Sequence, residues 1–251
     1  MSTSQNIIAH LIELRKRLMY SVASLLLVFF FLFPWASDLY ALLAQPLLAK
    51  LPQGGQMIAT DVTTPFFVPV KVALMTAFLI TLPYILFQIW SFVAPGLYAH
   101  EKRWIVPLVV ASLLLFLSGM AFAYFAVFPM VFGFITASAP QGVAVMTDID
   151  KYLSFVMSMF LAFGVTFQVP VAVVAMVKMG FVSVAKLREI RRYVIVGAFV
   201  AGAILTPPDI VSQFMLAIPL WLLYEAGIWV AVWMTKTPKA GDSKVEKTDP
   251  N

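Results

Sequence analysis

Long apolar runs separated by short charged segments dominate this chain. A helix that crosses a bilayer needs about 20 mostly apolar residues to span roughly 30 Å of hydrocarbon. We predict six such helices, in Leu18–Ala36, Val72–Trp90, Trp104–Ile135, Tyr152–Val177, Tyr193–Leu205 and Val211–Trp233. The pattern therefore predicts an all-α integral membrane protein, with one six-span domain over residues 1–235 and a disordered polar tail over residues 236–251.

Two predicted spans depart from the usual length. The third has 32 residues, or about 48 Å as a helix, so we expect it to tilt, to bend near Pro129 or to project from the bilayer. The fifth has 13 residues, or about 20 Å, so either it begins earlier, near Arg188, or the bilayer thins around it. The loop Ser37–Lys71 is predicted to hold short surface helices broken at Pro46.

Composition and charge agree with a membrane protein. Hydrophobic residues make up 62% of the chain and charged residues 12%, with a mean hydropathy of +0.93, which excludes an ordinary soluble globule. If the N-terminus is cytoplasmic, fourteen of the 17 lysines and arginines lie on that side, against Lys50, Lys71 and Lys151 on the other. This asymmetry predicts cytoplasmic termini, and it accounts for the net charge of +5 without a nucleic-acid partner.

Two charged motifs stand just outside apolar stretches: HLIELRKR at His10–Arg17 and FVAPGLYAHEKR at Phe92–Arg103. Each contains one glutamate, Glu13 or Glu101, beside basic residues. Glu13 has two open interpretations: an i,i+4 partner of Arg17, or a carboxylate presented to a cationic ligand. Glu101 is either an ordinary interfacial charge or a second such carboxylate. Together the two could hold two guanidinium groups by bidentate contacts, which lysine would not reproduce.

A few strongly polar residues fall inside or beside the predicted spans. Gln168 precedes Pro170 by two residues, and we expect its amide to pair with backbone groups that the proline frees. Glu225 lies inside the sixth span, where it either faces a concavity or a partner helix, or extends to the nearer interface. Asp209 is predicted to cap the sixth helix.

The sequence contains few groups that could support catalysis. The two histidines, His10 and His100, are far apart, there is no cysteine, and no metal-ligand cluster or phosphate-binding glycine loop is evident. A membrane-embedded enzyme is therefore disfavoured, since only Gln168, Gln213 and Glu225 are strongly polar within the spans. A secondary transporter for a small solute remains an alternative, although the sequence has no symmetric pair of broken spans.

Eight motifs occur in order along the chain. They are HLIELRKR, ATDVTTPF, FVAPGLYAHEKR, GMAFAYF, YLSFV, FGVTFQVP, YVIVGAF and LTPPD. From Ile7 to about Trp233 this series resembles the TatC family, the signal-peptide receptor subunit of the Sec-independent, twin-arginine protein translocase. The resemblance implies six spans, cytoplasmic termini and a concave, glove-like bundle in the bacterial inner membrane.

The resemblance also implies a function. Folded proteins with an N-terminal twin-arginine signal would dock at the cytoplasmic face, where Glu13 and Glu101 contact the two arginines. The residues that match the rest of that surface are Arg15, Arg17, Phe92, Pro95 and Leu97. The small TatA and TatB subunits would assemble the passage and the proton-motive force would drive transport, with no cofactor, nucleotide or metal.

Further positions match family motifs away from the docking surface. Thr206 and Gln213 match positions where the fifth and sixth spans meet partner helices. Pro46 and Asp61 match the first outer loop, where structural and functional roles are both open. Relatives commonly carry glutamate where this chain has Gln168. Glutamine cannot titrate, so this departure from the family pattern argues against a proton relay at this position. The family resemblance also implies self-association within a larger complex in the lipid bilayer.

Overall fold

A computed structural model of the chain describes residues 3–48, 57–93, 105–137, 147–205 and 210–236. The helices are α1 Thr3–Leu32, α2 Ala36–Leu48, α3 Thr64–Val93, α4 Ile105–Phe122, α5 Phe128–Ala137, α6 Ile149–Thr166, α7 Val169–Lys178, α8 Val184–Glu189, α9 Arg191–Leu205 and α10 Ile210–Lys236. Two short strands, β1 Met57–Ile58 and β2 Thr147–Asp148, pair in parallel.

Five of the six predicted spans are confirmed as long apolar helices. Among the described residues, the segments with the required length and composition are Ile8–Leu42, Thr64–Val93, Val106–Gly133, Ile149–Lys178 and Ile210–Met234. The fifth predicted span corresponds to α9, which has 15 residues and reaches about 22 Å. It begins at Arg191, two residues earlier than the predicted Tyr193 but not as early as Arg188, which belongs to α8. The tail beyond residue 236 lies outside the described residues.

The first span and the loop that follows it are more continuous than expected. The motif around Glu13 lies on the same helix, α1, as the first span. A 3-10 turn at Phe33–Trp35 joins α1 to α2. The predicted break at Pro46 is wrong, because α2 continues to Leu48. The missing N–H of Pro46 costs only the bond to the carbonyl of Leu42, and a loss so close to the helix end is tolerated.

The third and fourth spans are both interrupted. A π-helical turn at Ala123–Val127 separates α4 from α5, close to Pro129, where a bend was predicted. Proline cannot donate the regular i→i−4 bond, and such wider turns occur where that ladder is broken. In the fourth span, α6 ends at Thr166 and α7 begins at Val169. Pro170 stands in the first turn of α7, a position at which proline is favoured.

The helices pack in a chain of neighbours. Helix α3 contacts α1, α2 and α4, α4 contacts α6, and α10 contacts both α7 and α9. The best-buried cluster lies where the third, fourth and sixth spans meet. Its fully buried members include Val127, Met159, Phe163 and Leu216. Close packing of such side chains between helices stabilises a membrane bundle.

Glycine allows the closest helix contact in this core. A methyl group placed on Gly119 of α4 would lie 2.5 Å from the carbonyl oxygen of Phe163 and 2.9 Å from Cγ of Phe167. A methyl group on Gly164 of α6 would lie 2.5 Å from the ring of Phe116. The backbones of α4 and α6 therefore approach one another at positions that only a residue without a side chain can occupy.

A polar clamp joins the start of α3 to the start of α6 at one end of the bundle. Thr60 donates its hydroxyl and its backbone N–H to the carboxylate of Asp148, and β1 pairs with β2 beside them. Lys71 of α3 forms an ion pair with Asp150 of α6 at 2.5 Å. Asp61 accepts hydrogen bonds from the N–H of Thr63 at 3.0 Å and from its hydroxyl at 3.1 Å. The predicted outer-loop residue Asp61 thus supports the turn into α3.

The polar clamp is expected to weaken in acid. The hydroxyl of Thr60 and the backbone N–H of Lys151, which donate to Asp148, lower the pKa of its carboxyl to about 2. A carboxyl with a lowered pKa stabilises the fold above its unfolded-state pKa, and the contribution is lost as pH falls toward 2. Thr60→Val removes the hydroxyl donor that is the main cause of the lowered pKa of Asp148. We therefore expect thermal stability to fall less between pH 4 and pH 2 in this variant than in the wild type; equal slopes would contradict the assignment.

Candidate functional site

The amino-terminal part of α1 lies against the carboxyl-terminal end of α3. The imidazole of His10 stacks on the ring of Phe92, with centroids 4.3 Å apart and planes inclined by 17°. Arg17, two helical turns farther along α1, contacts Gln88, one turn before Phe92 on α3. The residues of the two charged motifs that the structure describes therefore meet at one end of the bundle, which we call the Glu13 end.

Glu13 is paired with Arg17 in a partly buried contact. Nη2 of Arg17 donates to Oε1 of Glu13 at 2.6 Å, and Nε donates to the same oxygen at 2.9 Å. The side chains are 26% exposed for Arg17 and 36% for Glu13. The predicted i,i+4 pair is thus confirmed. It also shows that this carboxylate is placed to accept a guanidinium group.

Gln88 completes the contact from α3, and sequence reasoning missed it. Its Oε1 accepts a hydrogen bond from Nη1 of Arg17 at 3.2 Å, and the residue is 8% exposed. The available signal was a carboxamide inside the apolar run of the second span, one turn before Phe92. Polar groups at such positions need partners. The sequence did not indicate that the partner lies on α1.

The other residues predicted for this surface divide into two groups. Arg15 is exposed, and Phe92 is half-buried beneath His10. Pro95, Leu97 and Glu101 lie in the segment 94–104, outside the described residues. The described part of the site is therefore a carboxylate, a guanidinium, a carboxamide and an aromatic stack.

Gln213 lies in the hairpin between α9 and α10, remote in sequence from the Glu13 end. Its amide donates to the carbonyl of Phe199 at 3.0 Å, and its Cγ would lie 3.1 Å from a methyl group placed on Gly202. Gln213 therefore joins α10 to α9. Thr206, predicted to share its role, and Asp209, predicted to cap α10, lie outside the described residues.

Gln168 joins the fourth span to α4, and Ser112 of α4 in turn contacts α3. Its amide donates to the carbonyl of Ser112 at 2.9 Å and, at 3.5 Å, to that of Gly164. The indole of Trp90 donates to the hydroxyl of Ser112 at 2.8 Å. Donation to backbone carbonyls was predicted, but the acceptors are wrong: Pro170 frees the carbonyl of Thr166, whereas Gln168 reaches across to α4.

Glu225 has a partner within the chain that the sequence did not reveal. Nη2 of Arg191, at the start of α9, donates to its Oε2 at 2.6 Å, and the side chain of Glu225 is 19% exposed. Nε of Arg191 is buried and has no hydrogen-bond partner among the residues that the structure describes. An ion pair within the chain was not among the predicted environments of Glu225. It arises because α9 and α10 pack together as consecutive helices.

Comparison with known proteins decides the family. The sequence profile described as "Sec-independent protein translocase protein (TatC)" matches residues 9–219. The chain belongs to the TatC family. It is 55% identical over 223 residues to the Sec-independent protein translocase protein TatC of Azotobacter chroococcum mcd 1, with 89% of this chain and 88% of the relative covered. The TatC protein of Escherichia coli (strain K12) is 54% identical over 226 residues, with 90% and 88% covered.

A solved TatC structure supports the same assignment. The fold matches a crystal structure of the twin-arginine translocase receptor TatC with a TM-score of 0.79 and 39% identity, covering 90% of this chain and 100% of that chain. The predicted family resemblance is confirmed. This TatC-family chain is a multi-pass inner-membrane protein and a component of a protein translocase, not an enzyme. All described residues of the Glu13 end fall within the matched region.

Proposed function

We propose that this chain is the receptor subunit that binds the twin-arginine signal peptides of folded proteins, with Glu13 and Glu101 contacting the two arginines. The observation that carries the proposal is the contact between Glu13 and Arg17. A carboxylate that already accepts two N–H groups from a guanidinium, and remains partly exposed, suits a second guanidinium from a ligand. The receptor named in the solved relative supports this role.

The surroundings of Glu13 also suit a peptide. The stacked rings of His10 and Phe92 offer a flat aromatic surface beside the carboxylate, and such surfaces favour guanidinium and apolar side chains. Arg15, five residues after His10 on α1, is exposed. Pro95, Leu97 and Glu101 follow Phe92 within nine residues of sequence, so the proposal places them at the same surface.

We propose that the Glu13 end faces the cytoplasm and that both termini lie on that side. The bias in lysine and arginine supports this orientation, because basic residues accumulate on the cytoplasmic side of membrane proteins. Signal peptides reach the receptor from the cytoplasm, so the same orientation gives Glu13 access to its ligand.

TatA and TatB complete the proposal as partner subunits that move the folded protein across the membrane with the proton-motive force. Their helices would dock along α9 and α10, near Thr206 and Gln213, in a complex that contains more than one copy of this chain. Exposed apolar side chains support a helix-binding face there: Val196, Val200, Ile204, Phe214 and Ile218. Helices associate in membranes through such faces when their shapes are complementary.

The binding role is tested by a charge-neutral change, Glu13→Gln. In nanodiscs, the wild type is expected to bind a labelled twin-arginine peptide more tightly than the same peptide with two lysines. Glu13→Gln should weaken binding of the arginine peptide about ten- to a hundredfold, since it removes a charge-assisted contact of about 1.5–3 kcal/mol. Fluorescence anisotropy measures both affinities.

Glu189→Gln is the matched control for Glu13→Gln. Glu189 lies on α8 in an exposed pair with Lys186 at 3.0 Å, so its neutralisation should leave the affinity unchanged. The same comparison with Glu101→Gln tests the second carboxylate. Equal binding of both peptides, unaffected by either variant of the two carboxylates, would contradict the proposed function.

A further inference from the structure

Gln88 occupies an unusual place for a carboxamide in a membrane-spanning helix. It stands on α3 at 8% exposure, between apolar neighbours. Its carbonyl oxygen accepts a hydrogen bond from Nη1 of Arg17, across the interface between α1 and α3. A polar side chain inside a membrane span needs a hydrogen-bond partner, and such a contact marks a structural or functional role.

The guanidinium of Arg17 is held from two sides by different helices. Nε and Nη2 both point to Oε1 of Glu13 on its own helix. Nη1 points to Gln88 on α3. All three nitrogens are therefore engaged, and Oε2 of Glu13 is not used by Arg17. A carboxylate can accept about four hydrogen bonds, so Glu13 retains acceptor capacity on Oε2.

Gln88 fixes the position of the Arg17 guanidinium and the Glu13 carboxylate. Arginine and glutamate have long side chains that lose much rotamer freedom when they are fixed. The i,i+4 pair alone does not select one geometry, because both partners belong to the same exposed helix. Gln88 is fixed by its burial in α3, so its bond to Nη1 fixes the guanidinium and, through Oε1, the carboxylate. Ligands bind more tightly to a group that is oriented beforehand.

We propose that Gln88 is a positioning residue for the binding of a ligand guanidinium at Glu13. It acts through Arg17: the carboxamide holds the guanidinium of Arg17, which holds Oε1 of Glu13 and leaves Oε2 directed to the ligand. This inference rests on the proposed function, because it names a residue that determines how the signal-peptide site binds arginine. Gln88 itself does not contact the ligand in this arrangement.

The test is a double-mutant cycle on peptide affinity. The wild type, Gln88→Met, Arg17→Met and the double variant are titrated in nanodiscs with the twin-arginine peptide and with its twin-lysine counterpart. Gln88→Met is expected to weaken binding of the arginine peptide roughly three- to tenfold, as for one hydrogen bond. In the Arg17→Met background the same change should have no further effect, because the residue through which Gln88 acts is gone.

Two further variants make the result specific. Gln168→Met makes the same chemical change at a half-buried glutamine between α6 and α7, and it should leave the peptide affinity unchanged. Gln88→Glu keeps an acceptor oxygen facing Arg17, and it should bind the arginine peptide at least as tightly as the wild type. Thermal unfolding of each variant identifies any that fail to fold. If Gln88→Met does not fold, Gln88→Ala, which also removes the acceptor oxygen, replaces it in the cycle.

The outcomes separate this inference from the proposed function. If the wild type binds both peptides equally, the proposed function fails before any variant is compared, and the role of Gln88 fails with it. If the wild type prefers arginine but Gln88→Met binds normally, only the role of Gln88 is overturned. An equal loss in the wild-type and Arg17→Met backgrounds, or in Gln88→Met and Gln88→Glu, also overturns that role.

Discussion

Gly119→Ala is expected to lower the free energy of unfolding by about 2 kcal/mol or more, within or above the usual range for an overpacked core. The new methyl group would lie 2.5 Å from the carbonyl oxygen of Phe163. That oxygen belongs to the backbone of α6, so the clash can be relieved only if α4 and α6 separate. Thermal or denaturant unfolding of the purified protein in detergent micelles measures the change.

Gly197→Ala provides the control for this substitution. Gly197 lies inside α9, and a methyl group there meets nothing within 4 Å. Alanine is a better helix former than glycine by about 1 kcal/mol, so this variant should be as stable as the wild type or more so. If both alanine variants lowered stability equally, the close approach of α4 to α6 would not explain the result.

Glu225→Leu is expected to lower the free energy of unfolding by about 2–3 kcal/mol. The change leaves the guanidinium of Arg191 without its carboxylate, and its Nε is already buried with no partner in the described part of the chain. Breaking a fully buried ion pair costs about 3–5 kcal/mol, and we take a smaller value because the side chain of Arg191 is 43% exposed. The same unfolding measurement applies.

The double variant Arg191→Leu/Glu225→Leu distinguishes a pair from two separate residues. Removing both charges leaves no uncompensated ion, so most of the lost stability should return. Glu189→Leu breaks the exposed pair with Lys186 and should change stability by less than about 0.5 kcal/mol. Additive losses in the double variant would show that Arg191 and Glu225 do not stabilise one another.

The spans were predictable because their signal is local. An apolar run such as that of α3, Thr64–Val93, can be read directly from sequence. The errors fell at element ends, where tertiary context decides. Proline breaks a helix in its interior, but Pro46 lies near the end of α2, where it is tolerated. Arg191, at the start of α9, pairs with Glu225 on α10, a contact that the sequence spacing does not encode.

The same distinction explains the candidate site. The contact between Glu13 and Arg17 follows from i,i+4 spacing on one helix, so the sequence predicted it. The partners of Arg17 and Gln168 on other helices are Gln88 and Ser112, 71 and 56 positions away. Such contacts depend on which helices become neighbours and at what rotation, and hydrophobic periodicity does not determine either in helices that are apolar on all sides.

Because α1 packs chiefly on α3, the site at the Glu13 end has a consequence for biogenesis. Its described residues, from His10 to Phe92, all belong to the first 93 positions of the chain. A polypeptide emerges from the ribosome amino terminus first. An antiparallel pair of α1 and α3 can therefore form the described part of this surface in the bilayer while α4 to α10 are still being synthesised.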